Sequence, residues 1–220
     1  MKLYPVLLNI EERLAVVVGG GEVALRKVLD LIDAGARVKV VSPRMHADLE
    51  EAARANAATL RLERREYRDG DLEGASLAFA ATDSFAVNRA VFEEAGRRGI
   101  FINSADDPPN CSFYLPSSVR RGDFLMAVST SGASPAYAAR LRRSLEKALP
   151  ENLGDILAAL REARRVLQED ATFSDLDFSA RGELLKSIVA DDALLERCAR
   201  AYREGDLPGL LGGMLGHGPR

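Results

Sequence analysis

The chain has 220 residues, of which 47% are apolar and 29% are charged, and its formal net charge is −3. This composition is typical of a soluble globular protein, long enough for one α/β domain and a smaller additional region. The small net charge gives no indication of nucleic acid or a membrane surface as a partner, and no apolar run approaches the length of a membrane span.

The opening segment and the cysteines indicate the cellular compartment in which the protein is expected. The start, MKLYPVLLNIEERL, is interrupted by Pro5 and by charged side chains, unlike the apolar segment of a secretory signal. Cys111 and Cys198 lie far apart and have no metal-binding or redox spacing. We therefore expect a cytoplasmic protein with reduced thiols. His46 and His217 form no paired spacing either, so we expect surface histidines and no metal site.

Strands and helices alternate through the first half of the chain. We expect an edge strand at residues 4–10, because it contains a proline, and a buried valine-rich strand at 13–18. Further strands are predicted at residues 37–43, 60–67, 76–83 and 100–107, and helices at 23–34, 45–57 and 84–99. This alternation predicts an α/β fold with a parallel sheet and right-handed crossovers.

The alternation stops near Pro108. Two strand-like runs, at residues 111–119 and 123–131, are joined through Arg-Arg-Gly and predict a hairpin or a short mixed sheet. A helix should follow, with Ser134 as its N-cap and Pro135 in its first position.

The remainder of the chain is predicted to be helical. Charged helical patterns cover residues 156–170 and 180–205, and the glycine-rich tail from Leu207 is expected to fray. The predicted fold class is a Rossmann-type parallel-sheet α/β domain, followed by a small α+β region and a helical C-terminal domain.

The segment at residues 111–150 is too short to bury a hydrophobic core of its own. We expect it to pack against a partner, most simply a second copy of the chain. The sequence therefore predicts a homodimer.

A glycine-rich turn joins the valine-rich strand to the first helix. Gly19, Gly21 and Ala24 fit the pattern G-x-G-x-x-G/A, in which the glycines permit a tight turn and close approach of a pyrophosphate. The helix start then offers free N–H groups to the phosphates. The alternative is a plain strand–helix turn. The residues predicted to bind the cofactor here are Gly19, Gly20, Gly21, Glu22 and Val23.

No acid follows the second strand, although an acid there commonly holds the adenosine ribose of NAD. The residues present are Ser42, Pro43 and Arg44. We expect Ser42 and Pro43 to contact the ribose, and Arg44 is suited to a 2′-phosphate, so NADP is compatible with this turn.

The fourth strand ends in small residues, which leave room for a cofactor. We expect Thr82 and Asp83 to contact the ribose on the nicotinamide side. The alternative is that Asp83 or Ser84 only caps the next helix.

Two adjacent carboxylates follow the fifth strand, where open α/β sheets bind their ligands. Asp106 is a candidate to exchange a proton while a hydride leaves for the cofactor. Asp107 precedes a proline and is expected to shape the turn. From these residues alone, a simple turn is the stronger interpretation.

The segment STSGASP precedes a helix and is a candidate nest for a carboxylate or phosphate. Arginines on this helix and just upstream of the segment are suited to carboxylates, although a solvated helix face is the alternative. Together with the fifth strand, this region supplies the predicted substrate-binding residues, which are Asn103, Ser129, Thr130, Ser131, Arg120 and Arg140.

Several stretches together resemble the precorrin-2 dehydrogenases of sirohaem synthesis, including the N-terminal module of sirohaem synthases. The matching stretches are YPVLLNIEERLAVVVGGGEVALRK, AGARVKVVSP, AFAATD with Asn88, INSADDPPNCSFYLPS and MAVSTSGASPAYAARLRRSLEKALP. They cover roughly residues 1–150 in family order, and the helical remainder carries no motif of this kind.

The resemblance implies an NAD-binding Rossmann domain at 1–110, a dimerisation region at 111–150 and a helical C-terminal domain at 151–220. It implies oxidation of precorrin-2, a tetrapyrrole, to sirohydrochlorin with NAD, and it assigns the functional aspartate to Asp106. Where sirohaem synthases have a phosphorylatable serine, this chain has Thr130.

Two alternative functions stay open at this point. Some members of the family also insert ferrous iron into sirohydrochlorin, and no motif decides whether this chain does. The other alternative is a non-catalytic domain that senses NAD. The paired acids and the arginine-rich helix argue against it.

Overall fold

The computed structural model describes residues 2–105 and 107–216. These residues form two compact units, Leu3–Leu115 and the part of the chain from Pro116 onward. A parallel sheet forms the centre of the first unit, whereas the second contains a hairpin and helices.

The first unit is a five-stranded parallel sheet with a helix after each of three strands. The strands are β1 (Leu14–Val18), β2 (Arg37–Val41), β3 (Leu60–Glu63), β4 (Leu77–Ala80) and β5 (Phe101–Ser104). The helices are α1 (Glu22–Asp33), α2 (Ala47–Ala55) and α3 (Phe85–Arg98). The strand order β3-β2-β1-β4-β5 reverses direction at β1 and β4, as in doubly wound nucleotide-binding sheets. The predicted Rossmann-type fold is confirmed.

The valine run in β1 is buried on both faces of the sheet. Val17 packs with α1 and with Leu49 of α2, whereas Val16 and Val18 belong to a second core with Val91 of α3. A strand covered on both sides needs consecutive apolar residues instead of alternating ones, because each face of the sheet contacts a helix.

A buried carboxylate fixes the long connection between β3 and β4. Glu94 of α3 is fully buried and accepts hydrogen bonds from Arg98 Nε at 2.7 Å, from Leu72 N at 3.3 Å and from the Tyr67 hydroxyl. Burial, and then the bond to Glu94, raises the pKa of Tyr67, so its hydroxyl stays protonated and donates. This network attaches the connection to α3.

The second unit combines an antiparallel hairpin with five helices. The elements are β6 (Ser117–Arg121), β7 (Phe124–Val128), α4 (Pro135–Glu146), α5 (Leu153–Glu169), α6 (Phe178–Val189), α7 (Asp192–Glu204) and α8 (Leu207–Met214). Its core is formed by helices α5 to α8 around Ala159, Ile188 and Leu211. Among the described residues, no helix is both long and apolar enough to cross a membrane.

The prediction of an edge strand at residues 4–10 is wrong. That segment forms no strand, and Tyr4, Leu7 and Leu8 are exposed. The outer strands of the sheet are β3 and β5, and the segment adds to neither. Pro5 lacks the N–H group that strand pairing requires.

The strand predicted at residues 111–119 begins late, at Ser117. Residues upstream instead attach to β5, since Ser112 N donates to the Ile102 carbonyl at 2.8 Å and Ile102 N donates to Ser112 Oγ at 2.7 Å. The side-chain hydroxyl accepts here in place of a backbone carbonyl, which interrupts the ladder of a regular strand.

Two helical predictions also need correction. The predicted helix at residues 180–205 is divided in two, because Asp191 leaves helical geometry and its carboxylate accepts from Ala193 N and Leu194 N at 2.8 and 3.1 Å. The tail predicted to fray contains α8, because Leu207 and Leu211 are buried in the helical core. Residues 217–220, including His217, lie outside the described residues.

Candidate functional site

Three turns meet at the carboxyl ends of β1, β2 and β4. Gly19 N donates to the Val41 carbonyl at 2.9 Å, and His46 N donates to the Gly20 carbonyl at 2.7 Å. The glycine turn therefore lies directly against the turn after β2. The structure places these predicted cofactor residues at one edge of the first unit: Gly19, Gly20, Gly21, Glu22, Val23, Ser42, Pro43, Thr82 and Asp83.

The backbone at Gly19 and Gly20 leaves no room for side chains. A β-carbon on Gly19 would lie 2.1 Å from the Ala81 carbonyl oxygen, and the residue has φ +124°, which side chains rarely allow. A β-carbon on Gly20 would lie 2.1 Å from the Arg44 carbonyl oxygen. These two glycines are therefore required by contacts within the protein.

Gly21 differs from its two neighbours, because a β-carbon on it would meet no atom within 4 Å. Gly21 is the N-cap of α1 and supplies no side-chain cap, so the first N–H groups of the helix, beginning at Glu22, stay available. Open space over a bare backbone, beside an uncapped helix start, suits the pyrophosphate of a dinucleotide. Ala24 is fully buried, which allows the close packing of helix on sheet predicted for that position.

The turn after β2 is fixed by its own serine. Ser42 is buried, and its hydroxyl donates to the Arg44 carbonyl at 2.7 Å. Pro43 and Arg44 are exposed. Within this turn, the side chains open to a ligand are therefore those of Pro43 and Arg44, whereas Ser42 is buried and donates its proton inside the turn.

The turn after β4 is held by Asn88 of α3. Thr82 N and Thr82 Oγ1 both donate to Asn88 Oδ1, at 3.3 and 2.7 Å, and Asn88 Nδ2 donates to the Thr82 carbonyl at 2.9 Å. The helix cap is Ser84, whose hydroxyl accepts from Val87 N at 3.4 Å, and Asp83 is exposed. The sequence analysis names Asn88 only as part of a matching stretch and predicts no hydrogen bonds for it. The feature that could have indicated this role is an amide side chain in the first turns of a helix that follows a short polar loop.

Asp106 lies outside the described residues, but the positions on both sides of it are described. Ala105 N donates to the Ala80 carbonyl at 2.8 Å, which continues the pairing of β4 with β5. Asp107 is a turn residue, as expected, and its carboxylate accepts from Asn110 Nδ2 at 2.6 Å.

Cys111 closes the loop that contains this pair of acids. Its sulfur accepts from Ser104 N at 3.1 Å and lies 3.4 Å from the Asp107 carbonyl oxygen. Burial raises the pKa of the Cys111 thiol, so it stays protonated and can donate. The sequence analysis did not identify this role. Asn103 ties the next residues to β5, since its Nδ2 donates to the Phe113 carbonyl at 3.1 Å.

In the second unit, the predicted nest is a compact turn before α4. Thr130 Oγ1 accepts from Ser134 N at 3.0 Å and donates to the Ser134 carbonyl at 3.1 Å, so its hydroxyl is used within the turn. Ser131 has φ +53°, which is uncommon for a residue with a side chain. Ser129 and Ser131 are exposed, and Ser134 caps α4 as predicted.

The basic residues of this region fall into two groups. Arg142 donates to Glu146 at 2.5 Å, and Arg121 lies 4.0 Å from the same carboxylate. Within the described parts of the chain, four exposed basic residues of this region form no ion pair: Arg120, Arg140, Arg143 and Lys147. The first two are the arginines predicted to bind substrate.

One cavity in the second unit contains none of the predicted site residues. It has a volume of about 540 Å³ and lies among α5, α7 and α8, and its Arg165 is already paired with Glu162 and Glu169.

Over residues 2–105 and 107–216, no cluster of three or more His, Cys, Asp or Glu side chains is arranged to hold a metal ion. His46 is exposed and caps α2.

Comparison with known protein families gives two matches in chain order. Residues 6–117 match a family described as putative NAD(P)-binding, and residues 125–148 match the central region of sirohaem biosynthesis proteins. The first match spans the parallel sheet and the second spans β7 and α4.

Individual relatives point the same way. The chain is 37% identical to a sirohaem synthase of Pseudomonas aeruginosa over 230 residues, covering all of this chain and 49% of the relative. It is 43% identical to a sirohaem synthase of Nitrosospira multiformis over 166 residues, covering 74% of this chain and 35% of the relative. The chain thus spans about half or less of these curated relatives.

A solved structure matches over nearly the whole chain. It is SirC, a precorrin-2 dehydrogenase, with a TM-score of 0.76 and 27% sequence identity, covering 93% of this chain and 98% of that one.

The three glycines of the turn should respond differently to substitution. We expect Gly21→Ala to change the free energy of unfolding by no more than about 1 kcal/mol, because alanine is a poorer N-cap than glycine but tolerates this extended backbone. The same substitution should weaken NAD binding by about tenfold or more, because the methyl group would occupy open space that suits a phosphate at the helix start. Gly20→Ala should lower stability by about 2 kcal/mol, because the turn after β2 must move. Urea unfolding and calorimetric titration with NAD measure the two effects.

Gly154→Ala serves as the control, because a β-carbon there also meets open space, at the start of α5. Equal NAD affinity in the Gly21 and Gly154 variants would contradict the proposed phosphate position.

Substitution of Asn88 should loosen the turn after β4. Asn88→Leu leaves the Thr82 N–H and carbonyl groups without partners, so we expect a loss of about 2 kcal/mol in stability and weaker NAD binding. Asn88→Asp keeps the acceptor and should bind NAD better than the leucine variant does. Ser84→Ala is the matched control, since it removes the helix cap at about 1 kcal/mol and leaves Thr82 held. Unchanged NAD affinity in Asn88→Leu would show that this turn does not contact the cofactor.

Proposed function

The chain belongs to the family of NAD(P)-binding proteins of sirohaem biosynthesis, and on this premise we propose that it oxidises precorrin-2 to sirohydrochlorin, with NAD as hydride acceptor. The observation that carries the proposal is the bare, uncapped glycine turn at the reversal point of the parallel sheet. The substrate follows from the structural likeness to a precorrin-2 dehydrogenase over nearly the full chain.

The reaction removes one hydride and one proton from the macrocycle. When bound, the nicotinamide ring supplies the carbon that accepts the hydride. We assign the proton to the carboxylate of Asp106, which follows β5 in the sequence. Open α/β sheets bind their ligands at the carboxyl ends of their strands. The fixed positions of Ala105 and Asp107, and the Cys111 contacts that close the loop, support this role.

The substrate is a tetrapyrrole with several carboxylates, which suits the unpaired basic residues of the second unit. Arg120 and Arg140 are assigned to these carboxylates, because a guanidinium without an ion-pair partner offers its full set of donors. The turn at Ser129–Ser131 is assigned to a further carboxylate. Its support is the exposed pair of serines beside the start of α4. Asn103 is assigned a supporting contact from β5.

The proposal also covers the oligomeric state of the protein and its location in the cell. Between residues 111 and 150, Ala138 is the one apolar residue that is buried, and Tyr137 and Leu145 are 53% and 48% exposed. This shortage of core supports a homodimer through the hairpin and α4. Both cysteines are free thiols, which supports a cytoplasmic location.

Asp106→Asn should lower the rate of precorrin-2 oxidation by about a hundredfold or more, because a general base contributes at least that much. NAD affinity should be unchanged. The assay follows NADH formation under anaerobic conditions with purified precorrin-2.

Asp107→Asn is the matched control, since an amide oxygen can still accept from Asn110 and preserve the turn. An Asp106→Asn protein as active as the wild type would remove this residue from the mechanism. Insertion of ferrous iron into sirohydrochlorin stays a prediction of the sequence, and the same two variants test it.

The oligomeric state is tested by sedimentation velocity at micromolar concentration. We expect a single species with twice the chain mass of 23.8 kDa. A species with the mass of one chain would contradict the homodimer, whatever the result of the activity assay.

A further inference from the structure

The turn between β2 and α2 lies where a dinucleotide places its adenosine ribose. In doubly wound sheets, the pyrophosphate lies at the first glycine turn and the ribose reaches the end of the second strand. Here, the two turns are joined by the hydrogen bonds from Gly19 N to Val41 and from His46 N to Gly20. In the proposed site, the residues that follow β2 would therefore lie near the 2′ position of the bound ribose.

This turn contains no acid. Residues 41–46 read Val-Ser-Pro-Arg-Met-His, and Ser42 stands where a ribose-binding acid is common. Ser42 is buried and donates its proton to the Arg44 carbonyl. The turn therefore lacks both the carboxylate that would hold a 2′-hydroxyl and the negative charge that would repel a 2′-phosphate.

Arg44 is the cation that this turn presents. Its backbone is fixed by Ser42 and by the contact with Gly20, whereas its side chain is exposed and forms no ion pair with any carboxylate in the described parts of the chain. The arginines that follow β3 are already engaged, since Arg64 is paired with Glu50 and Arg65 with Asp71.

Two carboxylates next to this turn lie against other side chains. Asp48, in the first turn of α2, lies 3.8 Å from His46 Nδ1. Glu63, at the end of β3, is paired with Arg61 at 2.6 Å and with Arg65 at 3.4 Å. Neither carboxylate pairs with Arg44, so neither occupies the hydrogen-bond donors of its guanidinium.

We propose that Arg44 binds the 2′-phosphate of NADP, so that this chain accepts NADP as well as NAD. The inference rests on the proposed dinucleotide site and adds to it the residue that sets its specificity. A planar guanidinium pairs with phosphate through two parallel hydrogen bonds, and such pairs are among the strongest polar contacts.

Calorimetric titration of the full chain with NAD and with NADP tests this without requiring turnover. The wild type should bind NADP at least as tightly as NAD. Arg44→Ala should weaken NADP binding by about tenfold or more, the loss expected for a charged hydrogen-bonded pair, and leave NAD within about twofold. Arg44→Glu should lower NADP affinity further and restore preference for NAD, because an acid then faces the 2′ position.

Arg54→Ala is the control, since Arg54 is an exposed arginine in the last turn of α2, at the end remote from the glycine turn. An NADP-to-NAD affinity ratio that Arg44→Ala does not change would overturn the inference, as would a wild type that binds NADP more than tenfold more weakly than NAD. Failure of the proposed function would look different: both dinucleotides would bind with the expected ratio, and precorrin-2 would not be oxidised with either.

Discussion

The arrangement of the first unit depends on one close approach of main chain to main chain. At Gly19 and Gly20, the turn after β1 lies so near the turns after β4 and β2 that a single added carbon would overlap a carbonyl oxygen. These contacts fix the spacing of three loops at one edge of the sheet. The three glycines of this turn therefore differ in role. Gly19 and Gly20 are required by the fold, whereas Gly21 borders open space.

Polar side chains keep the neighbouring loops in place. Asn88 holds the turn after β4, Ser42 holds the turn after β2, and Cys111 closes the loop after β5. Loops held in this way lose little further freedom when a ligand binds, so less of the binding energy is used to order them. The proton of the Ser42 hydroxyl is used inside the protein, so the side chains that this turn leaves open to a ligand are exposed ones such as Arg44.

Local signals explain why much of the fold was predictable from sequence. The valine run, the glycine turn and the cap Ser134 are each defined by a few adjacent residues, and all appear as predicted. The cap of α3 is Ser84, one of the two residues that the sequence offered as the alternative for that position. The opening segment was predicted wrongly, because pairing depends on a free sheet edge that the segment does not use.

Distant contacts explain the other misses. The glycines of α8 give it poor helical propensity, but burial of two leucines, Leu207 and Leu211, outweighs that cost. The roles of Asn88 and Cys111 also depend on partners brought close only by folding, Thr82 and Ser104. Composition and spacing cannot specify such pairs.

The basic region of the second unit shows why a count of charges is a poor guide to a binding surface. Arg121 and Arg142 share the carboxylate of Glu146, so part of their charge is already compensated within the fold. An incoming carboxylate would have to compete for those two, whereas Arg120 and Arg140 offer donors that no described carboxylate occupies. Because ion pairs gain most where the cation is not already satisfied, unpaired arginines are a better guide to where a carboxylate can bind than the whole basic cluster is.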